Sequence, residues 1–97
     1  MLERQYQAEL IKKLKDRFPE SIVLKSDANY MQGFPDLLIF FKDKYAALEV
    51  KKSGSAKHQP NQDYYVNYLN DIGGFASFIF PENESEVFDA IQSAFQS

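Results

Sequence analysis

Two carboxylates and an amine stand near the middle of the chain in a pattern that could do chemistry. Asp36 opens an apolar run directly after Gly33-Phe34-Pro35, where proline restricts the approach of the chain and withholds a backbone donor. Glu49 and Lys51 lie two residues apart, so on an extended strand their side chains share one face and Val50 takes the other. If the two strands are neighbours, the three groups converge at one end of a sheet. That is the equipment of metal-assisted phosphodiester hydrolysis: Mg²⁺ prefers oxygen ligands and is commonly held by one or two carboxylates plus substrate phosphate. A lysine beside it can orient a water and offset charge developing on phosphorus. Taken singly, an Asp opening a strand is more often a turn residue, and a Glu-x-Lys pair more often a solvated strand face. Together they weigh more, because Ala46-Ala47-Leu48 precede Glu49 and predict its burial, where an unpaired carboxylate is costly without a cation.

The elements that must position these residues read as α β β β α β α. Tyr6, Leu10, Ile11, Leu14 and Phe18 recur at spacings of three and four, which predicts an amphipathic helix from Glu3 to Phe18 closed by Pro19. Ser21 to Ser26 is a short β-rich run, and Asp27 to Gly33 reads as a loop. Asp36 to Phe41 is apolar after its first residue, as expected of a strand covered on both faces. Lys42-Asp43-Lys44 predicts a turn and Tyr45 to Lys51 a second strand of that pair. Ser53 to Asn61 is a small, polar loop, with Pro60 suited to the first turn of a helix running from about Asn61 to Asp71. Its expected stripe is Tyr65, Tyr68, Leu69 and Ile72, and Gly73-Gly74 stops it. Phe75 to Phe80 is the next strand. Val87, Ala90, Ile91, Ala94 and Phe95 mark a last helix beginning near Glu84 to Glu86, with Ser85 as a candidate cap. The expected fold class is α/β (α+β): one domain over residues 1–97, a mixed sheet flanked by helices.

Composition narrows the function classes. The chain has no cysteine and one histidine, His58, which excludes disulfide frameworks, thiolate zinc sites, thiol catalysis and His-rich metal centres; any metal must sit on carboxylates. The sequence has no apolar run long enough to span a membrane and no secretory signal layout at its start, so an intracellular protein without membrane contact is expected. The formal charge of −3 is unevenly placed: every Lys and Arg lies between Arg4 and Lys57, while Glu82, Glu84, Glu86 and Asp89 follow with nothing basic among them. Net acidity is therefore partly a property of the C-terminal segment and does not forbid a polyanionic partner.

The ordered set Gly33-Phe34-Pro35-Asp36, Glu49-x-Lys51, a Gly- and Lys-bearing loop, and Gln59-Pro60-Asn61-Gln62 opening a helix resembles the virus-type replication-repair nuclease (VRR-NUC) branch of the PD-(D/E)xK superfamily, in its stand-alone form. The resemblance runs from Glu3 to about Phe80. In that branch a first-helix glutamate heads an E-x-x-I/Y-x-x-x-L stripe, matched by Glu3, Tyr6 and Leu10, and a helix-opening glutamine follows the ExK strand, matched by Gln62. The resemblance implies a restriction-endonuclease-like core. It also implies an Mg²⁺ site, with Mn²⁺ able to substitute, on Asp36, Glu49 and Glu3, with Lys51 and Gln62 as catalytic partners. Glu9, on the same helix, is the alternative to Glu3. The interval from Glu49 to Gln62 is one residue longer than the pattern, which keeps Gln59 as the alternative to Gln62.

Lys25, Lys42, Lys44, Lys52 and Lys57 are the candidates for phosphate contact, expected to flank the site and to make DNA binding salt-dependent. For any one of them a solvated turn is about as common. Tyr64, Tyr65 and Tyr68 are expected chiefly in the core, and His58 as an exposed loop residue. Small members of the resembled family act as homodimers on branched DNA such as Holliday junctions, which extends the expectation to a DNA endonuclease selective for DNA shape. The rival readings are a catalytically silent nuclease-fold module that binds DNA or assembles, and a small α/β protein that binds another ligand. Loss of a site carboxylate or of Lys51 would mark the silent module, and none is missing.

Overall fold

The computed structural model describes residues 2–27 and 29–97; Met1 and one residue of the expected loop, Ala28, lie outside the described residues. The elements are α1 (Glu3–Arg17), β1 (Ile22–Lys25), β2 (Leu37–Phe41), β3 (Lys44–Val50), α2 (Pro60–Asp71), β4 (Phe75–Ile79), a 3₁₀ turn (Pro81–Asn83) and α3 (Glu84–Gln96). The expected order therefore holds, with boundaries displaced by one or two residues. The four strands form one sheet in the order β1-β2-β3-β4. The first three pair antiparallel and β3 pairs parallel with β4, because α2 carries the chain back across one face before β4 begins.

The sheet faces are packed unequally. On one face Tyr6, Leu10 and Leu14 of α1 and Val87, Phe88, Ile91 and Phe95 of α3 bury Leu37, Ile39, Ala46, Leu48, Val50 and Ile79. On the other, Val66 and Leu69 of α2 cover Ala47 and Ala76, with Phe34, Leu38, Tyr45 and Phe78 partly buried around them. Since α2 reaches only the β3–β4 half, the β1–β2 half of that face stays open, and Ile22, Leu24 and Phe40 are exposed.

This asymmetry corrects three expectations. The apolar run of β2 is not covered on both faces: Leu37 and Ile39 are buried while Phe40 is exposed. The fully covered strand is β3, buried from Ala46 to Val50, because α2 lies over it. In α2 the buried stripe is Val66 and Leu69, with Tyr64, Tyr68 and Ile72 exposed, since the helix sets its Val66–Leu69 edge on Ala47 and Ala76. The cap of α3 is Asn83 rather than Ser85. The preceding 3₁₀ turn moves the helix start upstream, and the Asn83 side chain accepts from the Phe80 N–H at 2.9 Å and donates to the Phe78 carbonyl at 3.1 Å.

The acidic C-terminal segment finds its partners on α1. Glu84 accepts from the Tyr6 hydroxyl at 2.9 Å and pairs with Lys13 at 2.9 Å, and Asp89 pairs with Arg17 at 2.9 Å. The excess negative charge of α3 is thus spent against the basic face of α1. Among the described residues, no helix is long and apolar enough to cross a membrane.

Candidate active site

The β2–β3 register places Leu37 opposite Leu48, so Asp36, one residue before β2, stands beside Glu49 near the end of β3. Gly33 sets the approach. Its φ of +87° is in the left-handed region, and a Cβ there would overlap the Asn61 side chain, so the loop lies directly against the start of α2. Asp36 Oδ2 then accepts the backbone N–H of Val50 at 2.8 Å, while its own carbonyl accepts from the Ser26 N–H at 2.8 Å. The carboxylate is tied to the strand that carries its partners.

Glu49 is 3% exposed, as Ala46-Ala47-Leu48 before it predicted, and Lys51 is 7% exposed. Gln62 joins the two: its Nε2 donates to Glu49 Oε2 at 3.2 Å, and its Oε1 accepts from Lys51 Nζ at 2.8 Å and from the Gln59 N–H at 3.0 Å. Lys51 Nζ donates a second hydrogen bond to the Lys57 carbonyl at 3.1 Å. No buried side-chain polar atom among the described residues lacks a partner. Burial is the chief reason that the Glu49 carboxyl is pushed up to about 9. A hydrogen bond shared with Asp36 and the negative charge of Asp36 add to this; Lys51 opposes it and Glu3 adds a little. Two carboxyl groups held this close cannot both ionise cheaply, and one keeps its proton.

These groups line a cleft of about 710 Å³ with Glu3, Arg4, Gln7 and Lys25. Between the sequence alternatives, Glu3 faces the cleft and Glu9 does not, and Gln62 rather than Gln59 makes side-chain contact with Glu49 and Lys51. Among the described residues no three His, Asp or Glu side chains come close enough to hold an ion between them, so Glu3 belongs to the rim while Asp36 and Glu49 form the floor.

The lysines divide. Lys25 lines the cleft, Lys52 follows the site strand, and Lys57 contributes its backbone carbonyl to Lys51. Lys42 and Lys44 do not flank the site. They lie at the β2–β3 turn, where Phe41 pairs with Lys44, five to six residues or about 17–20 Å along the strands from the carboxylates. The full length of an extended strand separates them from Asp36, although they are near it in sequence. Arg4 and Gln7 were missed by sequence reasoning, although they sit three apart on the polar flank of α1, beside Glu3 and away from the Tyr6–Leu10 stripe, where a shared surface could have been read.

With this geometry established, comparison with known proteins bears on the fold. No family model matches the sequence, and no curated protein sequence matches it. Two solved structures do. A VRR_NUC domain protein superposes with a TM-score of 0.72 at 20% identity, covering 99% of this chain and 89% of that one. The fold is VRR-NUC-like. An Archaeoglobus fulgidus Hjc, a Holliday junction resolvase from an archaeal hyperthermophile, gives a TM-score of 0.54 at 13% identity over 79% of this chain and 67% of that one. In the VRR-NUC-like frame, the site lies where the end of β3 meets the start of α2, and Asp36, Glu49, Lys51 and Gln62 all come from the sheet end that α1 overhangs.

Proposed function

We propose that this chain is a metal-dependent DNA endonuclease that hydrolyses phosphodiester bonds, acts on branched DNA and works as a homodimer. The observation that carries the reading is the convergence of Asp36, Glu49, Lys51 and Gln62 in one cleft, where burial, reinforced by Asp36, raises the Glu49 carboxyl.

The donor set fits Mg²⁺, with Mn²⁺ able to replace it: Asp36 and Glu49 offer hard carboxylate oxygens whose mutual repulsion a divalent cation would relieve, with Glu3 at the rim. When bound, such an ion polarises a phosphoryl oxygen and lowers the pKa of a water. The chain's own residues supply the rest. Asp36 is held by the Val50 N–H, so its free oxygen keeps a fixed direction. Gln62 fixes the spacing between Glu49 and Lys51. Lys51, buried and pinned by two neutral acceptors, presents its remaining N–H toward the cleft, where it can stabilise charge developing on a phosphoryl oxygen. Lys25 and Arg4 on the rim can seat flanking phosphates, positioning DNA without reading its sequence. Selectivity for branched DNA is supported by likeness to an archaeal Holliday junction resolvase.

For the dimer, the support is the open half of the sheet. Tyr65 of α2 packs on Phe34 beside β2, while Asn70 bonds the backbone of Ala76 on β4. At 100° per residue, Tyr68 and Ile72 fall toward the β2 side of the helix, while Tyr64 lies on its outer face opposite Val66 and Leu69. Beside them the sheet leaves Ile22, Leu24 and Phe40 uncovered. These six side chains are 39–61% exposed, apolar surface that a second copy would cover.

The test is cleavage of labelled four-way junction, flap, linear duplex and single-stranded DNA with Mg²⁺, Mn²⁺ or EDTA. Metal-dependent cutting of the junction that disappears in Asp36→Ala supports the reading. Intact DNA in every lane with binding retained would replace it with the catalytically silent module. Sedimentation of wild type against Leu24→Glu tests the dimer.

A further inference from the structure

We propose that His58 is a positioning residue for Lys51: its ring anchors the loop between β3 and α2, so that the backbone on both sides of it holds the Lys51–Gln62 pair in place. The inference deepens the nuclease reading and rests on it for its kinetic consequence.

The loop from Ser53 to Gln59 is polar and rich in small residues, a composition that by itself gives little reason for one conformation. It is nevertheless tied at several points. The Gly54 N–H donates to Glu82 Oε1 at 2.8 Å and the Ala56 N–H to the Ser53 carbonyl at 3.2 Å. The firmest tie is His58. Its imidazole lies parallel to the Phe78 ring, with centroids 3.9 Å apart and planes 13° from coplanar, and its Nδ1 is 3.1 Å from Asp63 Oδ1. A carboxylate oxygen accepts, so Nδ1 carries the proton in this contact. Phe78 belongs to β4, opposite Glu49 in the parallel register, and Asp63 lies in the first turn of α2. The ring thus bridges two elements that frame the site.

The consequence lies in the peptide groups flanking His58. On one side the Lys57 carbonyl accepts from Lys51 Nζ at 3.1 Å; on the other the Gln59 N–H donates to Gln62 Oε1 at 3.0 Å, the same oxygen that accepts from Lys51 at 2.8 Å. One immobilised ring therefore fixes both a direct acceptor of the ammonium and the orientation of its second acceptor. An ammonium has three donors. With two fixed, the direction of the third is fixed as well, and Lys51 lines the cleft. If the ring is released, the Lys57 carbonyl moves with the loop, and Lys51 keeps its charge but loses its aim.

The experiment compares wild type, His58→Ala, His58→Phe and Phe78→Leu by two readouts: steady-state cleavage of the preferred DNA, and mass-spectrometric labelling of lysines by an acylating reagent without DNA. For His58→Ala, kcat should fall on the order of tenfold to a hundredfold, as for other small misplacements of a reacting group, with KM close to wild type. Labelling of Lys51 should rise relative to the exposed Lys12 and Lys15. His58→Phe keeps the stacked ring and should restore most of the rate. Phe78→Leu should mimic His58→Ala, and the double variant should lose little more than either alone; if Phe78→Leu folds poorly, the His58→Ala and His58→Phe pair decides. Unchanged kcat and unchanged Lys51 labelling in His58→Ala would overturn the proposal, as would a rise in KM alone, which would make His58 a DNA contact. If wild type cuts no DNA, the nuclease reading fails, and the labelling result decides the positioning role independently.

Discussion

At the turn end of the β2–β3 hairpin, Lys42 and Asp43 stand in solvent beside Lys44, and the only ion pair formed among them is stretched to 4.0 Å. At the open end of the same two strands, Asp36, Glu49 and Lys51 are bonded to each other's surroundings at 2.8–3.2 Å, with Glu49 and Lys51 almost fully buried. Residue types are similar at the two ends; the environment differs. At the open end the packed elements bury Glu49 and Lys51, and burial, reinforced by Asp36, raises the Glu49 carboxyl. The turn end has water as its partner, where a charge pair contributes little. Charge alone does not mark the functional end of a sheet; enforced proximity under partial burial does.

The largest expected effect is on cleavage. Lys51→Ala or Asp36→Ala should lower kcat on the order of 10² to 10³, the usual cost of removing one preorganised electrostatic group. Lys42→Ala with Lys44→Ala should leave kcat at the wild-type value in the same assay. Equal losses from both pairs would dissolve the distinction between the ends. Filter binding across a salt series extends the comparison: Arg4→Ala or Lys25→Ala should reduce the salt slope by about one, as loss of one phosphate contact does.

Much of this contrast was legible in the sequence, and the illegible part has a physical cause. Spacing alone put Glu49 and Lys51 on one face, and Ala46-Ala47-Leu48 foretold the burial of Glu49. The placement of Lys42 and Lys44 was misread because six residues of extended strand carry the chain away from Asp36. The β1–β2 half of the sheet was misjudged as well: an apolar run such as Leu37–Phe41 reports what could be covered, whereas the length and placement of α2 decide what is. Helix assignment did not suffer from this, since Leu10 and Leu14 are fully buried where periodicity placed them. Arg4 and Gln7 share the polar flank of α1 with Glu3, a local pattern, but that this flank lines the cleft depends on how the helix packs on the sheet.

The protonation of Glu49 sharpens the comparison through stability. Its folded value of about 9 lies above the ordinary 4.5, so between those pH values the unfolded chain has released a proton that the folded chain retains. Stability from this group is therefore fully present below about pH 4.5 and is lost as pH rises toward 9 in metal-free buffer. Glu49→Gln removes the penalty. With EDTA at pH 8 it should raise the thermal midpoint by about 4–8 °C, corresponding to on the order of 1 kcal/mol for a chain of this size, and at pH 4 the gain should vanish. Asp43→Asn at the turn end should show no such pH-dependent gain. Added Mg²⁺ should stabilise wild type more at pH 8 than at pH 6, because binding displaces the proton, and should do less for Glu49→Gln at either pH.

The helix that overhangs the site repeats the contrast along its own length. Near the cleft, the Tyr6 hydroxyl donates to Glu84 from a buried position, and burial, reinforced by Glu84, pushes its ionisation above the usual tyrosine range. Toward the turn end, Arg17 meets an exposed Asp89. Tyr6→Phe should cost about 1 kcal/mol in urea unfolding, the typical net worth of a partly buried hydrogen bond. Asp89→Ala should cost less than about 0.5 kcal/mol, as exposed pairs do. A reversed order would show that α1 is anchored from the turn end, leaving the cleft-end contacts of Glu3 and Arg4 as passengers.

The smallest effect is expected at the hairpin turn itself. Lys42 is the non-glycine residue with positive φ among the described residues, at 56°, a conformation that costs an L-residue roughly 1–2 kcal/mol and glycine little. Part of that gain returns as the greater backbone freedom of glycine in the unfolded chain, roughly 0.5–1 kcal/mol. Lys42→Gly should therefore stabilise the fold by about 0.5 kcal/mol in urea unfolding, with cleavage unchanged. Strain relieved at the turn with cleavage unchanged would mean that the change is not transmitted along the strands, and that the turn closing the hairpin carries no part of the chemistry.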